Sequence, residues 1–175
     1  MYKTATNFLK KFMSTSAIFK HGFNLSPMYR RTTARVIEIT DDLKEVKIKI
    51  PLSYKNKNYV GAIFGGSMFA ATDPIYMIQL VQILGEDYVV WDKTATIHFK
   101  RPAKEHLYCK FIFTDEEIAT IKKQVATSGE MTHEKTTQLT NAQEQVFAEV
   151  IKTLYIAEKS FYKEKLKKRK LAKSS

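Results

Sequence analysis

Between Glu45 and Leu52, Val46, Ile48 and Ile50 fall on one side of the chain and Lys47 and Lys49 on the other. A period of two with one wet face predicts a strand. Ala34 to Thr40 has the same character, and Asp41-Asp42-Leu43-Lys44 joins the two as a hairpin. From about Gly65 to Leu84 the chain is apolar on nearly every side, with Gly85 placed to close it; that length and all-round apolarity predict a helix buried against a sheet. Tyr88 to Arg101 is a long strand with Ala95, Ile97 and Phe99 on one side and Thr94, Thr96 and His98 on the other, ended by Pro102. Leu107 to Phe113 returns as the next strand. Thr114-Asp115-Glu116-Glu117 reads as a capping box opening a short helix, whose Ile118, Ile121 and Val125 form one face before Ser128-Gly129 stops it. Met131 to Thr140 alternates weakly. The period of Val146 to Ile156 slightly favours a helix, but its β-branched and aromatic content, after the turn-like Asn141-Ala142-Gln143-Glu144, favours a strand.

Before the hairpin, Phe8, Leu9, Phe12, Met13 and Phe19 recur at roughly helical spacing, while Lys10, Lys11 and Lys20 interrupt the apolar run that an export signal needs. An amphipathic helix is expected there. No stretch approaches the roughly 18 apolar residues of a membrane span. The expected order is therefore a helix, two strands, a long buried helix and four strands with one inserted helix, an α+β arrangement. Residues 1–160 form one domain in this reading, and residues 161–175 a basic tail.

Charge changes the picture only locally. The formal net charge of the 175 residues is +11, but Lys159 to Ser175 carries +7 of it and the preceding residues only +4. The body is nearly ordinary, so no specific nucleic-acid partner is expected. The tail reads as a solvated helix or as a contact for anionic lipid, RNA or CoA phosphates. Cys109 is the single cysteine, which excludes an intrachain disulfide and fits a cytoplasmic protein. His21, His98, His106 and His133 have no metal-ligand spacing, and no metal or other cofactor is expected.

Candidate chemistry concentrates in Asn58-Tyr59-Val60-Gly61-Ala62-Ile63-Phe64-Gly65-Gly66 and in Asp73, the only charged residue between Asn58 and Glu86. A helix starting at the glycine pair aims unsatisfied N–H groups outward, where they can hold a carbonyl oxygen as it gains charge. Asp73 lies about two turns further on. Thr72-Asp73-Pro74 has a second reading as a helix start, with Thr72 or Asp73 as N-cap and Pro74 at the first helical position. If the helix instead begins near Gly66, Pro74 breaks the bond to the Ala70 carbonyl and bends it, at roughly 3 kcal/mol. The glycine pair also fits an ordinary tight turn.

The spacing N-x-x-G-x-x-F-G-G followed seven residues later by Asp resembles the hotdog-fold acyl-CoA thioesterases of the phenylacetyl-CoA type. Phe99-Lys100-Arg101-Pro102-Ala103 resembles a strand end common in them. The resemblance covers roughly residues 33–157 and implies an antiparallel sheet wrapped around one long helix, in subunits that join edge to edge as a homodimer or homotetramer. It implies that the Gly66 amide binds the thioester oxygen, that Asp73 acts as nucleophile or base, and that Asn58 orients water or supports the loop. Gly61, Phe64 and Gly65 fall on the substrate side. Most of the family have His where this chain has Phe64, and a phenyl ring neither donates nor accepts that hydrogen bond. Two alternatives stand beside a thioesterase: an acyl-CoA or lipid binder without turnover, and an RNA- or membrane-associated protein acting through its basic tail.

Overall fold

A computed structural model describes residues 13–172. In chain order the elements are α1 (Thr15–Leu25), α2 (Pro27–Arg30), β1 (Arg35–Ile39), β2 (Glu45–Ile50), α3 (Gly65–Thr72), α4 (Ile75–Leu84), β3 (Tyr88–Phe99), β4 (Leu107–Ile112), α5 (Asp115–Ser128), β5 (Glu130–Thr140), β6 (Val146–Glu158) and α6 (Lys159–Leu171). The six strands form one antiparallel sheet in the order β1-β2-β4-β5-β6-β3. This is the expected α+β hotdog arrangement, a sheet wrapped around a central apolar helix.

Val46, Ile48 and Ile50 of β2 are fully buried, as the alternation requires, and Phe111 of β4 lies opposite Val46. Ile75, Tyr76 and Leu80 of α4 fill the concave side, and Tyr76 meets Phe111 edge-on at 4.9 Å. The segment Val146–Glu158 is a strand, so tertiary pairing with β3 and β5 overrides its slight helical period. Thr114 and Glu117 form the capping box of α5, and Gly129 closes that helix.

The central helix begins at Gly65 and is interrupted at Asp73-Pro74. Both residues keep right-handed helical dihedrals, so the break is a kink within one rod. The reading of Asp73 or Thr72 as an N-cap does not hold. Asp73 has φ −53° and ψ −53° rather than the extended backbone of a cap. Thr72 bonds backward, its hydroxyl donating to the Phe69 carbonyl at 2.9 Å. At the kink the buried Tyr29 hydroxyl donates to the Ala71 carbonyl at 3.1 Å.

In α1, Phe19 and Phe23 are buried and stacked, with ring centroids 4.7 Å apart, and Phe23 meets Tyr29 edge-on. Phe8, Leu9 and Phe12, which begin the expected amphipathic helix, lie outside the described residues. The expected boundary between body and tail at 160/161 falls inside α6. This helix follows β6 directly, and its Phe161 ring lies against Gly129. Among the described residues no helix is long and apolar enough to cross a membrane.

Candidate active site

The start of α3 is held from three directions. Asn58 folds its own loop: its Oδ1 accepts from the amides of Val60 at 3.1 Å and Ala62 at 3.0 Å, while the Gly61 amide donates to its carbonyl at 3.0 Å. Gly61 has φ +78°, a conformation that costs other residues strain. The Ile63 amide then donates to the carbonyl of Ala103, and the Phe64 amide to that of Asn56. This ties the loop to the Arg101-Pro102-Ala103 strand end. Asn58 thus spends its side chain on the loop.

An aromatic ring lies against each glycine of the pair. A Cβ on Gly65 would lie 2.7 Å from the Phe99 ring, and one on Gly66 would lie 2.3 Å from the Phe64 ring. Ser67 and Met68 are the first amides to turn back, both to the Phe64 carbonyl. The amides of Gly65 and Gly66 precede them, at positions where a helix offers no internal acceptor. Phe64 is the N-cap and gives no side-chain bond there, since its ring has no acceptor.

Asp73 is gripped by a residue that the sequence reading missed. Lys152, on β6, is 1% exposed, and its Nζ lies 2.9 Å from Asp73 Oδ1 and 3.1 Å from Asp92 Oδ2. It also donates to the Asp73 carbonyl. One buried cation thus joins the helix kink to β3, and it fixes both the backbone and the carboxylate of Asp73. Burial pushes the Asp92 carboxyl above its ordinary value and the Asp73 charge adds to this, while Lys152 pulls it down. A signal for Lys152 was present. In a strand it shares its face with Ala148, Val150, Leu154 and Ile156, and a lysine on a wholly apolar face needs an acidic partner.

The rod brings Gly66, Phe64, Asp73 and Pro74 to one cleft of about 410 Å³, which Met28 and Arg31 also line. Gly65 faces another, of about 490 Å³, together with Asn58, Lys100 and Arg101. Seven residues separate Gly66 from Asp73, about 10 Å along a helix. One carbonyl therefore cannot touch both groups of the same chain. Among the described residues there is no cluster of three or more His, Cys, Asp or Glu able to hold a metal ion.

A family described as Domain of unknown function (DUF4442) matches residues 15–156. The chain belongs to this family. The DUF4442 match spans the kinked helix, five strands and all but the last two residues of β6, so it includes the whole of the candidate site. No curated protein matches the chain. Among solved structures it is similar to a protein of unknown function from Pseudomonas aeruginosa, described as a probable thioesterase. That likeness has a TM-score of 0.72 at 19% identity and covers 81% of this chain and 95% of that one. A thioesterase from Staphylococcus aureus, in mutant form, is similar with a TM-score of 0.56 at 16% identity, covering 75% and 99%. A thioesterase from Haemophilus influenzae is similar with a TM-score of 0.53 at 12% identity, covering 86% and 88%. At these identities the likeness establishes the hotdog fold, and activity must be argued from the site.

Proposed function

We propose that the protein is a cytoplasmic thioesterase that hydrolyses acyl-CoA-type thioesters, with its site assembled between two subunits. The observation that carries this reading is Asp73, clamped by buried Lys152 beside the cleft that Gly66, at the start of α3, also lines. Fold neighbours described as thioesterases agree with it. The Gly66 amide donates to the thioester carbonyl oxygen and stabilises the charge that develops on it. Asp73 either takes a proton from the attacking water or attacks the carbonyl carbon itself. The tetrahedral intermediate then expels the CoA thiolate, and thioester plus water become carboxylate plus thiol. The chemistry calls on no metal and no redox cofactor.

The separation of about 10 Å between Gly66 and Asp73 favours a site in which Gly66 comes from one subunit and Asp73 from the other. Strand β3 is the natural seam. It is the long edge of the sheet, and Trp91 and Phe99 on it are more than half exposed. A homodimer, or a homotetramer built from two, follows. Lys100 and Arg101 in the neighbouring cleft are cations suited to CoA phosphates.

One observation favours a second reading, an acyl-CoA binder without turnover. The Phe64 ring covers Gly66 where most of the resembling enzymes carry a histidine, which removes a polar contact from the loop. Thiol release from short, medium, long and aromatic acyl-CoAs separates the two. Hydrolysis of any of them supports the enzyme, whereas saturable binding with no thiol released supports the binder.

A further inference from the structure

The cleft beside Asp73 and Gly66 shares a wall with a second cavity. Met28 lines the cleft on one side, and on the other it lines a groove of about 420 Å³ between α1 and α4. Ile18, Phe19, Phe23 and Ile78 give this groove apolar walls, and its volume falls in the range of small-molecule sites. Both cavities rest on one stripe of the central helix. Gly66, Ala70 and Pro74 line the cleft, and Ile78 and Gln82 continue at the same four-residue spacing into the groove. From Pro74 to Gln82 the stripe runs about 12 Å. On the opposite wall, Gly22 of α1 has no heavy atom within 4 Å of where a Cβ would stand.

We propose that this groove takes the unbranched acyl chain of the substrate, which makes the substrate a medium- or long-chain fatty acyl thioester. The inference rests on the thioester reading for the place of the carbonyl, beside Asp73. From there the only step needed is past Pro74 and Met28, where the chain leaves a polar cleft for an apolar one. Each methylene that enters the groove strengthens binding by up to about fourfold. A short acyl group ends before Ile78 and gains nothing from it. The groove therefore measures chain length.

Gly22→Phe in the full-length protein tests this, because the ring enters open space on a helix face. Gly22→Ala serves as the fold control, and Gln82→Phe blocks the far end from the other wall. The probes are S-butyl-CoA and S-dodecyl-CoA, thioethers that no hydrolase cleaves, titrated by calorimetry beside the hydrolysis of butanoyl-CoA and dodecanoyl-CoA. Wild type and Gly22→Ala should bind the dodecyl probe at least tenfold more tightly than the butyl probe. Gly22→Phe should lose that preference with less than a twofold change for the butyl probe, and Gln82→Phe should reduce it. A preference that survives in both Phe variants overturns the inference. So does a preference that appears only after residues 1–12 are removed, since the groove would then be the seat of the chain's own N-terminal segment. A wild type that shows the preference but cleaves neither ester keeps the groove and removes the hydrolase. One that cleaves both esters with equal kcat/KM and shows no preference does the reverse.

Discussion

Lys152 Nζ sits 2.9 Å from Asp73 Oδ1, and through that contact a strand of the sheet holds the carboxylate at the kink of the central helix. The lysine is 1% exposed and its two acidic partners are not buried, so the cation is the member of the cluster that cannot reach water. Removing it leaves two carboxylates facing each other without a counter-charge. Lys152→Met should cost roughly 3 kcal/mol of stability in denaturant, the low end for breaking a buried pair because Asp73 and Asp92 retain solvent. Any hydrolysis should fall with it. A loss below about 0.5 kcal/mol would mean that the ion pairs contribute nothing net.

Strand β3 offers twelve residues of edge, with β6 on its other side. Light scattering at micromolar concentration should give the mass of a dimer or tetramer. A monomer would remove the shared site and, with it, any single carbonyl contacting both Gly66 and Asp73.

Stability should decline as pH falls from neutrality. Burial holds the His133 imidazole below its ordinary value; the Glu117 carboxylate, 3.5 Å away, opposes this and Lys135 reinforces it. The unfolded chain therefore takes up this proton near pH 6.5, before the folded chain does, and stability drops as pH falls from 6.5 to the lower folded value. Glu117 adds a second loss. Burial raises its carboxyl, but Lys135 and the Thr114 amide outweigh this and lower it, so its contribution is present above pH 4.5 and disappears as pH falls through the folded value. Asp92, whose carboxyl is raised, acts in the opposite sense above pH 3.8. The difference in Tm between wild type and His133→Gln isolates the first effect: it should shift in the variant's favour between pH 7 and pH 5. A constant difference contradicts the assignment.

Gly129 joins α5 to β5 at φ +77°, and a Cβ there would lie 2.3 Å from the Phe161 ring. Gly129→Ala should therefore cost more than the 1–2 kcal/mol typical of a left-handed residue, since the ring must also move. If α6 is only a solvated tail, the cost stays within that range. Truncation after Glu158 should lower Tm, whereas truncation after Lys165 should change it little.

Most of the fold was legible because the strands alternate and the central helix is apolar. Val46, Ile48 and Ile50 declare their face, and Thr114 with Glu117 declares the start of α5. At Asp73-Pro74 the local rules named two structures. A cap and a kink use the same residues, and Lys152, 79 residues away, satisfies the carboxylate in only one of them. Lys152 itself was hidden by the ambiguity of β6, because on a helix the same lysine has no fixed apolar face to betray it. The Phe64 and Phe99 rings pack against the glycine pair, and neither contact can be read from spacing.

In the proposed site Asp73 does the chemistry. Asp73→Asn is the direct test, because Lys152 keeps Asp92 and the residue 73 carbonyl as partners and the fold should survive. Thiol release from the best acyl-CoA substrate should fall about 100-fold in the variant, the scale of a positioned general base, with Tm within a few degrees of wild type. Equal rates from the two proteins would contradict the account.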